Sequence, residues 1–156
     1  MEIYDLIIIG AGAAGLSAGI YAARSGLTTA IIEEKLAGGT TADAPTVENY
    51  PGFATINGAE LAEKMTAHCR KTGVTFRELE TVTALNLQDE KKSVKTTHAE
   101  YEATAIIIAT GSHYREIGAI GEKEFRGKGV SYCGVCDGPL FKEKTSWLLV
   151  VETALP

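Results

Sequence analysis

Two cysteines separated by two residues are the clearest candidates for chemistry in this sequence. Cys133 and Cys136 are followed at once by Asp137. A Cys-x-x-Cys pair can close a small disulfide, and its thiols often have lowered pKa values. An adjacent carboxyl group could deliver or accept the proton that moves in thiol–disulfide exchange. The pattern therefore predicts a redox-active dithiol on an accessible turn that is rich in glycine and proline.

A zinc site is the competing interpretation, because Cys-x-x-Cys is also a common half of a zinc site. Such a site would need two further ligands. The third cysteine, Cys69, shares one face of a predicted helix with Leu61 and Met65, which indicates a buried core thiol. The histidines show no ligand spacing. We therefore predict no metal site, and the accessible turn disfavours a pair of buried, unreactive cysteines.

A glycine-rich turn near the amino terminus is the second candidate. An apolar run over residues 4–9 leads into Gly-x-Gly-x-x-Gly, and a helix is predicted over residues 13–25. In this motif Gly10 makes the tight turn, Gly12 admits a pyrophosphate close to the backbone, and Gly15 lets the helix pack against the sheet. The helix start offers free N–H groups and a positive dipole end. The pattern predicts a dinucleotide site, and the alternative is a strand–helix turn without a ligand.

A carboxylate stands where this motif requires one. The next predicted strand, over residues 28–32, ends at Glu33. This position is about 20 residues past the glycines, where an acidic residue bonds the ribose hydroxyls. An acid in place of an arginine favours an unphosphorylated adenosine ribose, as in FAD or NAD.

Composition limits the class of protein. The chain has 156 residues, is 45% hydrophobic and has a net charge of −5, so we expect a globular protein without nucleic acid as a partner. The sequence has neither a secretory signal pattern nor an apolar stretch near the roughly 20 residues that a membrane helix needs. Three cysteines make no even disulfide framework, which favours a reducing compartment. We expect a soluble cytoplasmic protein that does not bind membranes.

Further elements are predicted from the pattern of apolar residues and breakers. They are a loop over residues 36–58, a helix over 59–72, a strand over 74–77, meander strands over 82–87, 93–97 and 99–103, and a strand over 105–109. The wholly apolar runs 28–32 and 105–109 indicate strands that are buried in a parallel sheet. A loop as long as 36–58 is commonly functional.

Together these motifs resemble a known family. The chain is similar to the amino-terminal half of the low-molecular-weight thioredoxin reductases, which are FAD-dependent pyridine nucleotide–disulfide oxidoreductases. The resemblance covers residues 3–145 and rests on residues 10–15, 38–39, 47–53, 109–111 and 133–138. It implies an α/β fold: a Rossmann-like, three-layer FAD-binding domain with a parallel sheet, helices and a small antiparallel meander. The first fragment of a truncated NADPH-binding domain would follow.

The resemblance implies FAD as the cofactor. The residues implied to hold its pyrophosphate are Gly10, Gly12, Ala13, Ala14 and Gly15, and Glu33 is implied to bind the adenosine ribose. Those implied to approach the flavin and its ribityl chain are Gly39, Thr40 and Asn49. Those implied to pass close to FAD are Ala109, Thr110 and Gly111. Many members of the family have glutamine where this chain has Thr40.

The resemblance also implies a reaction. In the family, electrons pass from NADPH to FAD, then to the Cys-x-x-Cys pair, and finally to the disulfide of a thioredoxin-like protein. Cys136 is implied to face the flavin, Cys133 to attack the partner disulfide, and Asp137 to be the family's acid. A homodimer is expected for the family. The chain is therefore expected to resemble a thioredoxin-disulfide reductase.

The sequence departs from the family near its end. Members are roughly twice this length, a two-domain size, and they have a second glycine-rich turn for the nicotinamide nucleotide, whereas Gly138 is the last glycine here. We expect a FAD-binding part over residues 1–116 and an incomplete NADPH/redox-disulfide domain over 117–156. This chain alone should retain FAD weakly and show no NADPH-driven turnover.

A shifted reading frame would explain the last residues of the sequence. One choice of codons for residues 146–156, read two bases later, encodes Leu-Val-Val-Gly-Gly-Gly-Asp-Ser-Ala, the type of turn that the family has there. We hypothesise that these residues are out-of-frame translation, and a divergent carboxyl terminus is the alternative. Two other functions stay open: a non-catalytic half that binds FAD or another nucleotide, and a flavin-independent dithiol protein.

Overall fold

A computed structural model describes residues 1–141 and 143–146, with the backbone alone at 135, 136, 139 and 140. Of the residues for which we hypothesise out-of-frame translation, those from 147 onward therefore lie outside the described part of the chain. Two compact units divide the chain, Met1–Gly111 and Ser112–Pro156. The domain boundary that we predict at residue 116 stays a prediction. No described helix is long and apolar enough to cross a lipid bilayer.

A mixed sheet forms the centre of the first unit. Its described strands are β1 (Glu2–Ile9), β2 (Thr29–Glu33), β3 (Thr75–Glu78), β4 (Val82–Asn86), β5 (Lys92–Thr96) and β6 (Glu100–Ile108), in the spatial order β3-β2-β1-β6-β5-β4. β3, β2, β1 and β6 are parallel, whereas β5 pairs antiparallel with both β6 and β4. The order places the carboxyl ends of β1, β2 and β6 side by side, where the glycine-rich turn leaves β1.

Helices α1 (Ala13–Arg24) and α2 (Gly58–Lys71) cover one face of this sheet. On that face Leu16 of α1 and Cys69 of α2 pack in one apolar cluster with Ile8 and Ile31. The other face carries Ile7 and other apolar side chains of β1 and β2, packed with Val94 and Tyr101 of the meander strands. The helices thus lie on one face of the six-stranded sheet, and side chains from its own antiparallel strands pack on the other face. The predicted α/β class is confirmed.

Local signals explain where α2 begins and what it buries. The Asn57 side chain accepts a hydrogen bond from the Ala59 amide at 2.9 Å, as a helix N-cap does. The predicted burial of Cys69 is confirmed, because its side chain is fully buried and free of a disulfide. In the loop before α2, a short 3-10 helix over Gly39–Asp43 replaces part of the irregular segment that we predict. Val47 and Ile56 also form an isolated bridge there.

The strand β6 differs from its prediction in two ways. Residues 99–103 and 105–109 are predicted as two strands, but one strand runs over Glu100–Ile108. It is continuous because its pairing with β1 extends over residues 101–108, while residues 100–103 also pair with β5. The predicted burial of 105–109 is wrong for the described residues. Ile107 is 39% exposed and Ile108 is 60% exposed. The helices that bury β1 and β2 do not cover these side chains.

A buried carboxylate ties the sheet to the meander. Glu80, which follows β3, accepts hydrogen bonds from the Thr96 hydroxyl at 2.5 Å and from the Tyr101 hydroxyl at 2.8 Å. Burial, and then the bond to this carboxylate, raises the pKa of Tyr101 to about 12. Tyr101 therefore stays protonated across the physiological range, and it donates to a group that would otherwise be buried without enough partners.

The second unit is organised around another carboxylate. Glu122 accepts from the backbone amides of Ile117, Gly118 and Ala119 and from the Tyr132 hydroxyl. The hydrogen bond from Tyr132, followed by those from the amides, lowers the pKa of Glu122. Residues Gly134–Asp137 form one helical turn, α3, followed by a 3-10 turn over Gly138–Phe141. The loop or turn that we predict at the cysteines is a single helical turn, in which the Asp137 amide bonds the Cys133 carbonyl four residues earlier, at 2.9 Å.

Candidate functional site

Gly10 sits where three strands of the sheet meet. Its amide donates to the Ile32 carbonyl of β2 at 2.8 Å. Its φ angle is +106°, and a Cβ atom there would lie 2.3 Å from the carbonyl oxygen of Ala109. Both the backbone angle and the close approach therefore require glycine at the end of β1. Ala109 is held beside it, because its own amide bonds the Ile9 carbonyl at 2.8 Å.

Gly15 lets α1 start directly against this turn. A Cβ atom at Gly15 would lie 1.9 Å from the carbonyl oxygen of Gly10, closer than any real contact. Any larger residue would therefore push the helix away from the turn, as predicted from the glycine motif.

The start of α1 opens onto a space lined by glycine backbone. Gly12 has φ −77° and ψ −176°, and none of the described side chains caps the helix there. The nearest atom to a Cβ built on Gly12 is the Gly39 Cα, 3.8 Å away. Gly38 is fixed to this turn, since its amide donates to the Ala11 carbonyl at 2.9 Å. We call the segment 10–15 together with Gly38 and Gly39 the glycine cradle.

The glycine cradle has the properties that a pyrophosphate requires. Ala13 and Ala14 are exposed at the first turn of the helix. The first amides of a helix have no partner within the helix, and they attract anions together with the helix dipole. Because only backbone of Gly39 faces Gly12, the described side chains leave the helix start open. The residues present therefore fit the diphosphate of a dinucleotide such as FAD.

Glu33 lies at the edge of the glycine cradle and not apart from it. One carboxylate oxygen accepts from the Ala11 amide at 2.7 Å, and the other accepts from the Lys35 amide at 2.9 Å. These bonds fix the side chain while leaving lone pairs on both oxygens for hydroxyl donors. A fixed negative charge here would repel a 2′-phosphate, so the geometry suits an unphosphorylated ribose.

The remaining predicted cofactor residues lie around this end of the first unit. Thr40 belongs to the 3-10 helix that starts at Gly39, and it is exposed. Asn49 is exposed on the following loop, and Thr110 and Gly111 are exposed just after β6. Their contacts with a cofactor stay predictions.

The candidate dithiol lies in the second unit, at the start of α3. Cys133 is disulfide-bonded, and the side chain of Cys136 is outside the described part of the chain. Asp137 accepts a hydrogen bond from the Ser131 hydroxyl at 2.5 Å. The Ser131 oxygen in turn accepts from the Cys133 amide at 3.0 Å. Sequence reasoning misses Ser131, because nothing in the spacing of a serine six residues before an aspartate signals this bond.

A zinc site would need ligands in addition to the two cysteines. The described side chains, which do not include that of Cys136, contain no group of three or more His, Cys, Asp or Glu residues placed to hold a metal ion. Cys69, the third cysteine, faces the apolar core of the first unit.

Burial should make the three thiols react unequally. Burial raises the pKa of the Cys69 thiol, which lowers its thiolate fraction as well as its access. In the fully reduced, folded chain we expect Cys69 to react with a disulfide dye at least about a hundredfold more slowly than the Cys-x-x-Cys thiols. The thiol count measured before and after adding denaturant checks this. Three equally fast thiols in the folded chain would contradict it.

Comparison with known proteins establishes the family. The model of the pyridine nucleotide-disulphide oxidoreductases matches residues 4–151. The chain belongs to this family. It is 48% identical over 143 residues to a thioredoxin reductase of Bacillus subtilis, covering 92% of this chain and 45% of that protein. It is 46% identical to the thioredoxin reductase of Treponema pallidum, with 90% and 46% of the two chains covered.

Solved structures of oxidoreductases support the same family assignment. The thioredoxin reductase of Streptococcus pyogenes superposes with a TM-score of 0.84 at 45% identity, covering 89% of this chain and 45% of that one. That of Giardia duodenalis gives 0.82 at 32% identity, with 90% and 46% covered. The chain therefore spans less than half the length of these relatives. The predicted resemblance to the amino-terminal half of thioredoxin reductases is confirmed.

Proposed function

We propose that this chain carries the FAD site and the redox dithiol of a thioredoxin-disulfide reductase. The observation that carries the proposal is the glycine cradle, where Gly12 and Gly39 leave the first turn of α1 open while Glu33 borders it. Relatives named thioredoxin reductase, at 44–48% identity over about 90% of the chain, support the same function.

Each part of the glycine cradle has a proposed role toward FAD. The amides at the start of α1, from Gly12 to Gly15, would bind the pyrophosphate, and Glu33 would accept from the ribose hydroxyls. The residues proposed to line the remainder of the cofactor are Gly39, Thr40, Asn49, Ala109, Thr110 and Gly111. When bound, FAD would supply a carrier that accepts two electrons from a nicotinamide and passes them to a disulfide.

The dithiol has the second proposed role. In its reduced form, the Cys133 thiolate attacks the disulfide of a thioredoxin-like protein, forming a mixed disulfide and releasing one partner sulfur. Cys136 then attacks Cys133, which restores the Cys133–Cys136 disulfide and releases the second partner sulfur. Asp137 exchanges the proton that this step moves.

NADPH is the proposed electron donor, a homodimer the proposed assembly, and the cytoplasm the proposed location. One structural relative, from Clostridium acetobutylicum, is named a ferredoxin-flavin thioredoxin reductase and is 36% identical, so the donor is worth testing directly. Because the chain covers about 45% of its relatives' length, turnover with NADPH by residues 1–156 alone is expected to be impaired.

The partner class can be tested in one half-reaction. We expect the prereduced chain to reduce oxidised bacterial thioredoxin at least about tenfold faster than glutathione disulfide at equal concentration, since docking orients the partner disulfide. Stopped-flow fluorescence of thioredoxin measures the first rate, and quenched samples analysed for glutathione measure the second. Equal rates with both disulfides would contradict a thioredoxin-like partner, and no reaction with either would contradict the dithiol.

A further inference from the structure

Ser131 bonds to both ends of the candidate dithiol turn. Its hydroxyl donates to the Asp137 carboxylate at 2.5 Å, and its oxygen accepts from the Cys133 amide at 3.0 Å. We infer that Ser131 is a positioning residue, which holds the Asp137 carboxylate where it exchanges a proton with the dithiol. The inference rests on the proposed thiol–disulfide exchange.

The direction of these bonds is fixed by chemistry. An amide can only donate, so the Ser131 oxygen is the acceptor for Cys133. The single hydroxyl hydrogen is then free to point at the carboxylate, which in its ionised form can only accept. A hydroxyl bond to an ionised carboxylate is short and roughly twice as strong as a neutral one. Ser131 therefore favours one orientation of the Asp137 side chain.

The backbone closes a ring around this contact. The Asp137 amide donates to the Cys133 carbonyl at 2.9 Å. Cys133 thus binds Asp137 through its carbonyl and binds Ser131 through its amide, while Ser131 binds the Asp137 side chain. Both the backbone and the carboxylate of Asp137 are fixed relative to Cys133.

Ser131 is itself held by the scaffold of the second unit. The next residue, Tyr132, donates to Glu122 at 2.6 Å, and its ring stacks on Tyr114 with 4.8 Å between ring centroids. The Arg126 guanidinium lies over both rings, 5.1 Å and 5.6 Å from their centroids. Because a hydrogen bond, a ring stack and a guanidinium contact hold Tyr132, the preceding residue Ser131 has a defined position from which to orient Asp137.

The step that this orientation serves can be written in full. After Cys133 has formed a mixed disulfide with the substrate, the Cys136 thiol gives its proton to the Asp137 carboxylate. The Cys136 sulfur then bonds to the Cys133 sulfur, and the bond between Cys133 and the substrate sulfur breaks. The substrate leaves as a thiolate, and the proton on Asp137 passes to it or to water. The two thiols are oxidised and the substrate disulfide is reduced.

The test follows the two phases of dye reduction by the prereduced chain. With 5,5′-dithiobis(2-nitrobenzoate), attack by Cys133 depends on dye concentration, whereas resolution by Cys136 does not. We expect Ser131→Val to slow the resolution phase about tenfold, the loss typical of one charge-assisted hydrogen bond, with little change in the first phase. Threonine has the same shape as valine but keeps the hydroxyl, so the resolution rate of Ser131→Thr should stay within about twofold of the wild-type rate.

A double-mutant cycle with Asp137 separates a positioning role of Ser131 from a purely structural one. Asp137→Asn should slow resolution about a hundredfold, and adding Ser131→Val to it should have no further effect, because the group that Ser131 orients is gone. Ser112→Ala, at an exposed serine of the same unit, is the matched control and should leave both phases unchanged. Equal loss in the Thr and Val variants, or additive loss in the double variant, would overturn the inference.

Failure of the proposed function gives a different result. If the dithiol is not redox-active, the wild-type chain itself will show no resolution phase, and Cys136→Ser will not alter the traces. If only the inference fails, the wild type will show both phases and Asp137→Asn will slow the second, but Ser131→Val will behave like the wild type.

Discussion

Gly12→Val is expected to weaken FAD binding by at least about a hundredfold, because its methyl groups would fill the space that a pyrophosphate needs against the backbone. Gly12 has an extended backbone with φ −77°, and its nearest neighbour would be the Gly39 Cα at 3.8 Å. Valine can therefore adopt the native backbone there. Flavin fluorescence and absorbance during titration of the purified chain measure the affinity.

A matched variant separates the cofactor site from general damage. Among the described residues, no atom lies within 4 Å of a Cβ position built at Gly138, so Gly138→Val should leave FAD affinity unchanged. Valine caps a helix less well than glycine, but it also lowers the conformational entropy of the unfolded chain, and these two effects on stability are opposite and of similar size. The free energy of unfolding of the Gly12 variant, measured with urea, should therefore differ from that of the wild type by less than about 1 kcal/mol. Unchanged FAD affinity in a folded Gly12→Val chain would contradict the cradle as the pyrophosphate site.

Cys133→Ser is expected to remove rapid disulfide reduction, with a fall in rate of at least about a hundredfold, because a serine hydroxyl is not ionised near neutral pH and is a poor nucleophile toward sulfur. The prereduced variant mixed with oxidised thioredoxin, or with the dye, shows the loss directly. The reaction needs neither FAD nor NADPH, so it reports on the second unit alone.

Cys136→Ser is the comparison variant. It keeps the attacking thiol, so one equivalent of dye thiolate should be released and the reaction should stop at a mixed disulfide on Cys133 that mass spectrometry detects. If the two variants exchange these outcomes, the attacking and resolving roles are reversed. If both react like the wild type, the proposed dithiol is wrong.

Much of the first unit could be predicted from local patterns. The strand, turn and helix at Gly10–Gly15 follow from an apolar run and three glycines. The structure explains Gly10 by its backbone angle and Gly15 by a close approach, whereas the position of Gly12 has room for a side chain. The spacing of Leu61 and Cys69 likewise predicts the buried face of α2, because helical periodicity is a local property.

Features that depend on distant partners could not be predicted in this way. Residues 99–109 contain no signal for one continuous strand, since its continuity comes from pairing with β1 over residues 101–108. The exposure of Ile107 and Ile108 depends on which elements cover the sheet, and an apolar run does not specify that. The anchoring of Glu33 by two backbone amides is also a tertiary feature.

The side-chain bond between Ser131 and Asp137 illustrates the same limit. Serine is common in turns, so its presence before the cysteines is no signal by itself. The bond exists because α3 makes one helical turn and brings Asp137 back over Cys133. Only three-dimensional placement shows that the acid predicted from the motif has a hydrogen-bonding partner of its own.

Amide chemical shifts of the isotope-labelled chain during titration with FAD test the glycine cradle most directly. At 16.5 kDa, nearly every amide can be followed in a two-dimensional spectrum. The largest changes are expected at Gly12, Ala13, Ala14 and Gly15, with smaller ones at Gly39, and none of these changes should occur in Gly12→Val. Shifts confined to other parts of the chain, or none at millimolar FAD, would contradict the first turn of α1 as the dinucleotide site.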